Sequence, residues 1–187
     1  MAALDQPEQA TFGHAAGEAR IEVLTASLHA SEWEMVRAFV GRVSREDLRL
    51  RFGRAVNFRD EGTLKRLFDI TDATGEMLWA LDERGEISGI LHRVLTAPRE
   101  AEIGLVVRSD RQRQGIGRTL IRAALARAGK QNLQTLRASV LRENLPMLRL
   151  AKAMGLALKK SAGLSVELEF DFAGEPDMHR GQMPLAA

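Results

Sequence analysis

Apolar and polar positions along this chain follow two rhythms, and the changes between them mark the elements. Residues 31–40 carry Trp33, Val36, Phe39 and Val40 at helical spacing, with Ser31 placed to cap the helix. Residues 44–52 start a second helix behind another serine, and Leu64, Leu67 and Phe68 mark a third within 57–70. The rhythm then shortens. Residues 77–81 and 86–95 are apolar runs joined by Asp82-Glu83-Arg84-Gly85, which predicts a β-hairpin. Pro98 turns the chain into a third strand at 101–107. An amphipathic helix is predicted from about Gly115 to about Ala128, then a strand at 136–140. A helix from Asn144 to Met154 stops at Gly155, and strands follow at 157–160 and 165–170. A short strand at 21–24 opens the series.

This order predicts an α+β architecture, a mixed and mostly antiparallel sheet flanked by helices on both faces. Residues 1–20 have no clear period and read as a flexible leader. Gly174, Pro176, Gly181 and Pro184 make 173–187 a flexible tail by the same reasoning. Between them, 21–172 is expected to be one domain, since no repeat, low-complexity tract or linker divides it.

Composition narrows the chemistry. Of 187 residues, 45% are hydrophobic, enough for a sizeable core, and the formal net charge of +2 gives no global field toward nucleic acid or a membrane. The arginines of 45–54 are not interleaved with aromatic residues and read as a solvated helix face. With no cysteine, disulfides, a thiol nucleophile and thiolate metal sites are excluded. His14, His29 and His179 show no metal spacing, and no metal is expected. No apolar run approaches a membrane span, and the N-terminus lacks a signal-peptide pattern, so the expected location is the cytoplasm.

The stretch that carries chemistry is Arg111-Gln112-Arg113-Gln114-Gly115-Ile116-Gly117-Arg118, set between the 101–107 strand and the helix after it. Backbone N–H groups converge at a helix N-terminus, where the helix dipole is positive. Gly115 and Gly117 remove side chains that would hold a ligand away from those groups, and Arg111, Arg113 and Arg118 add charge. The stretch reads as a phosphate or diphosphate cradle. It lacks the Gly-Lys-Ser/Thr of a P-loop, and Leu120 stands where a dinucleotide fingerprint needs its third glycine.

Gln112-Arg113-Gln114-Gly115-Ile116-Gly117 resembles the acyl-CoA loop of the GNAT superfamily of N-acetyltransferases. The helix opened by Asn144 and closed by Gly155-Leu156 resembles that family's second motif. Residues 39–52, 101–108 and 144–151 together resemble the acetyltransferase domain of bacterial Pat-type protein lysine acetyltransferases. The resemblance implies the GNAT fold, acetyl-CoA as cofactor and an amine acceptor, with a protein lysine first among acceptors. It also implies that Gln112, Arg113, Gln114, Gly115, Ile116, Gly117 and Arg118 hold the diphosphate, while Leu105, Val106 and Val107 flank the pantetheine arm. Asn144 is a weaker cofactor contact and an excellent N-cap. Pat-type domains are often fused to a sensor, but only about twenty residues precede the domain here, so no fused sensor is expected. A monomer or a homodimer is expected.

Acetyl transfer to an amine needs the amine to lose its proton. A lysine pKa of roughly 10.4 leaves only about one in a few thousand neutral at pH 7, so a base is required. Glu102 is the candidate: it sits in an otherwise apolar strand, where a carboxylate is costly unless used, and Gly104 on the same face leaves space beside it. The alternative is a solvated Glu102 beside Arg99 or Arg93. Many GNAT enzymes place a leaving-group acid at a tyrosine whose counterpart here is Ala151, and the chain has no tyrosine. Two other readings therefore stand, a small-molecule amine acetyltransferase and a non-catalytic acyl-CoA-binding regulatory module. His92 reads as structural.

Overall fold

Short polar signals set the helix ends. In the computed structural model, which describes residues 20–24, 30–58, 60–68 and 75–173, the Ser44 hydroxyl accepts the Asp47 N–H at 3.0 Å and opens one helix. Gly53 closes that helix in the left-handed region at φ 71°, its N–H reaching the Arg49 carbonyl at 2.8 Å. The Asp60 carboxylate accepts the Thr63 N–H at 2.7 Å at the start of the next helix, and the Asn144 carbonyl accepts that of Met147 at 3.2 Å at another. The expected leader and tail lie outside the described residues, apart from Arg20 and Ala173.

The elements are β1 (Arg20–Leu24), α1 (Ala30–Val40), α2 (Arg45–Phe52), α3 (Glu61–Phe68), β2 (Gly75–Leu81), β3 (Ile87–Ala97) and β4 (Glu100–Val107). They continue with α4 (Ile116–Lys130), β5 (Thr135–Leu141), α5 (Leu145–Ala153), β6 (Ala157–Ala162) and β7 (Ser165–Asp171). Most boundaries fall within two residues of the sequence reading. One reading needs correction: Ser31 lies inside the first turn of α1 rather than capping it. The third helix falls within 57–70 as read, and Phe58 ahead of it packs against Phe52 and Phe68, ring centroids 5.5 and 6.4 Å apart.

Seven strands form one sheet in the order β1-β2-β3-β4-β5-β7-β6. Every pair is antiparallel except β4 with β5. α4 and α5 cover one face, over a core that includes Leu78, Leu91, Ile103, Leu120, Ile121 and Leu136. α1, α2 and α3 cover the other, over Met77, Trp79, Ile90 and Val106. The period of two along β4 sends Ala101 and Ile103 to the α4 face, and places Glu102 and Gly104 on the opposite face with Val106.

Two features of this sheet matter for function. β4 and β5 pair only over Glu100, Ala101 and Glu102 with Thr135, Leu136 and Arg137, and then part. From Ile103 onward the β5-side edge of β4 has no strand partner among the described residues. The second feature locks the sheet to α4. Glu76, 3% exposed, accepts from Arg93 Nε at 2.8 Å and from Arg127 Nη2 at 3.0 Å. Removing one partner of such a group strands buried charge. Glu76→Ala should therefore destabilise the fold by about 3 kcal/mol or more in urea unfolding. Removing the exposed carboxylate of the Glu34–Arg37 pair should cost under about 1 kcal/mol.

Candidate active site

The site is built where β4 ends. The backbone leaves β4 at Val107, makes a 3-10 turn at Ser109–Arg111, and enters α4 at Ile116. Arg113 and Gly115 both take positive φ, 64° and 84°, and this double reversal folds the loop over the helix end. Gly115 is required by that φ, since nothing lies within 4 Å of a Cβ built there. Gly117 is required by contact. A Cβ there would sit 2.9 Å from Leu150 Cδ2 and 3.3 Å from Leu105 Cδ2. Its glycine therefore keeps α4 close to β4 and α5 as well as baring the loop. The first α4 hydrogen bond runs from Thr119 N to Gly115 O at 3.0 Å, so the N–H groups of Ile116, Gly117 and Arg118 precede the helical ladder.

A cleft of about 470 Å³ opens beside this helix end. β4 lines it through Leu105, Val106 and Val107, the loop through Gln112, Arg113, Gly115, Ile116, Gly117 and Arg118, and α5 through Asn144 and Met147. Ten of the twelve candidate site residues thus meet at one place. Gln114 is exposed and does not line it. Glu102 does not line it either. It lies exposed on β4, on the α1–α3 face, four residues before Val106. Asn144 caps α5 and also lines the cleft.

Several charges are placed otherwise than expected. Arg111 lines the cleft, but its Nη2 is 3.4 Å from Asp82 Oδ2. Arg108 is buried, with Nε 2.7 Å from Asp110 and Nη1 3.3 Å from Glu86. These two arginines tie the loop to the β2–β3 hairpin, leaving Arg113 and Arg118 as the loop's cleft-lining charges without an ion pair among the described residues. Asp47 is tied in as well: its carboxylate accepts from Ser109 Oγ at 2.5 Å and Ser44 Oγ at 2.7 Å. Burial would push its pKa up, but hydrogen bonds from Ser109, Ser44 and Gln112 outweigh this and hold it below the usual carboxylate range.

The largest departure from the sequence reading is on α2. Its arginines were expected on a solvated face, yet Arg51 turns inward and lines the cleft. Its guanidinium lies against Gly104, where a Cβ would collide with it. Gly104 therefore does not leave open space beside Glu102; Arg51 fills it. Burial pushes Arg51 down to about 10, against the opposing pull of Glu102. The guanidinium carbon also sits 4.8 Å from the Phe52 ring centroid. The α2 spacing held a signal, because Asp47, Leu48 and Arg51 share one helix face.

His92 lies across from Gly104 on β3, its ring 5.4 Å from Phe68. Its Nε2 is buried without a hydrogen-bond partner among the described residues. Burial, helped by the Arg51 charge, pushes its pKa down to about 3. It is neutral at ordinary pH, and burial opposes its taking a proton. Ala151 is fully buried against the core and presents no acid to the cleft. Of the neighbours considered for Glu102, Arg93 is bonded to Glu76 instead.

A family model described as Acetyltransferase (GNAT) family matches residues 43–156. Among solved structures, the chain is similar to the GNAT domain of S. lividans PAT, with a TM-score of 0.70 at 24% identity. That match covers 81% of this chain and 90% of the other. A GCN5-related N-acetyltransferase from Kribbella flavida gives 0.65 at 15% identity over 81% and 98%. Spermidine N-acetyltransferase from Vibrio cholerae, in complex with CoA and spermine, gives 0.64 at 16% identity over 82% and 96%. At these identities the structural likenesses establish the fold.

Two outcomes follow from this geometry. Gly117→Val should weaken coenzyme A binding by about tenfold or more. The same substitution in a Leu150→Ala background, compared with Leu150→Ala alone, should still weaken it by calorimetric titration, although the clash with Leu150 is gone. The second concerns His92. Above pH 6.5 both states hold it neutral. As pH falls from 6.5 toward 3, the unfolded chain alone takes the proton and stability drops. Between pH 7 and pH 5, wild type should lose about 2 kcal/mol more stability than His92→Gln in urea unfolding.

Proposed function

The chain belongs to the acetyltransferase (GNAT) family, and from that premise we propose that it acetylates a protein lysine side chain, with Glu102 as the base. The observation that carries this reading is the gap between β4 and β5, with the α4 N-terminus at its mouth and Glu102 farther back along β4. The residues fit the cofactor. Loop N–H groups with Arg113 and Arg118 suit a diphosphate, and the unpaired edge of β4 suits the amide-bearing pantetheine arm as an added strand. When bound, acetyl-CoA supplies an acetyl thioester for attack by a neutral amine.

The protein's own residues then have three tasks. The loop and α5 hold the donor and keep its reactive end near Leu105. A backbone N–H of β4 near Leu105 offers a hydrogen bond to negative charge developing there. Glu102 takes the amine proton. Because it stands back from the cleft across Gly104, it acts through water rather than by direct contact.

A lysine acceptor is supported by the likeness of residues 39–52, 101–108 and 144–151 to Pat-type domains, and by a fold shared with the S. lividans PAT domain. A second reading, a module that binds acyl-CoA without turnover, is favoured by one observation: the leaving-group position is the buried Ala151. Turnover separates the two. With a lysine peptide as acceptor, Glu102→Gln should lower kcat by about 100-fold while changing acetyl-CoA affinity by less than about threefold. An equal loss of both would remove Glu102 from the base role. Saturable binding without transfer to peptides or polyamines would favour the module.

A further inference from the structure

Among the described arginines that are not exposed, Arg51 differs from the rest: Arg49, Arg93, Arg108, Arg111, Arg127 and Arg137 all face carboxylates within 4.0 Å. Arg51, inside the cleft wall, has no ion pair among the described residues. Around its guanidinium are the Phe52 ring, the Gly104 backbone and, across β3 from Gly104, a neutral His92. Glu102 is the nearby acid and is not bonded to it. A half-buried guanidinium with no carboxylate in contact is costly to hold, and a ligand anion would relieve that cost.

The donor's phosphates do not supply that anion. They belong at the α4 N-terminus, and Gly104 lies three residues back along β4 from Val107, about 10 Å for an extended strand. The anion must come with the acceptor, which approaches the same end as Glu102. We propose that Arg51 selects the acceptor by charge, pairing through its planar fork with a carboxylate next to the reactive amine and disfavouring polycations. Under the acetyl-transfer reading, on which this rests, the preferred lysine has an aspartate or glutamate neighbour.

The test compares two blocked peptides, one with its lysine between aspartates and one with its lysine between arginines, and adds spermidine. Wild type should favour the aspartate peptide in kcat/KM by about tenfold or more, with spermidine a poor acceptor. Arg51→Gln should bring the two peptides within about threefold of each other at unchanged acetyl-CoA affinity. Arg51→Lys, which keeps the charge but loses the fork, should retain part of the preference, and it serves should the glutamine variant fail to fold. A preference that survives Arg51→Gln overturns the inference. So does a uniform fall in kcat for both peptides, which would place Arg51 on the reacting centre. Equal use of both peptides by wild type also overturns it alone. No transfer to any amine overturns the acetyl-transfer reading and this inference with it.

Discussion

The site depends on how two parallel strands meet. β4 and β5 agree in register for three residues at their N-terminal ends and separate toward their C-terminal ends. Parallel neighbours need a crossover, and here the crossover is α4. A helix that follows β4 must begin at that strand's C-terminal end, the end where the gap has opened. The helix N-terminus and the unpaired strand edge therefore face the same opening as a consequence of connectivity. Packing then fixes their separation. Gly117 lets α4 approach Leu105 and Leu150, and Gly89 accepts Ile116 and Leu120, which a Cβ would meet at 2.9 and 3.0 Å.

Charge is distributed to keep this opening rigid and positive. Asp82 accepts the N–H groups of Arg84 and Glu86 at 3.0 Å and so shapes its own turn, while its other oxygen faces Arg108 and Arg111. The hairpin thus neutralises the arginines that anchor the loop. Asp47, held by Ser44 and Ser109, ties the α1–α2 turn to the same corner. Arg113 and Arg118 from the loop, Arg51 from α2 and Arg149 from α5 line the cleft without an ion pair among the described residues.

Much of this was legible in the sequence because it follows from local rules. Periodicity located the strands and helices, and Ser44 and Asn144 announced their helices by capping chemistry. The glycine-bearing loop could be located because Gly115 and Gly117 stand together at a predicted helix start. The parting of β4 from β5 could not be read, since strand pairing is non-local and both strands look the same paired or free. Arg51 was misplaced for a related reason. Whether a helical arginine meets water or a strand depends on what lies opposite, and only the fold puts Gly104 there. The same holds for Glu102, whose space is taken by a side chain about fifty positions earlier.

Amide hydrogen exchange with and without saturating acetyl-CoA would show whether the bare edge of β4 and the start of α4 together receive the acyl carrier. New protection is expected in two segments, residues 103–107 and 114–118, with little change in α3 or β7. Protection confined to the α1–α3 face, or none at saturation, would contradict it.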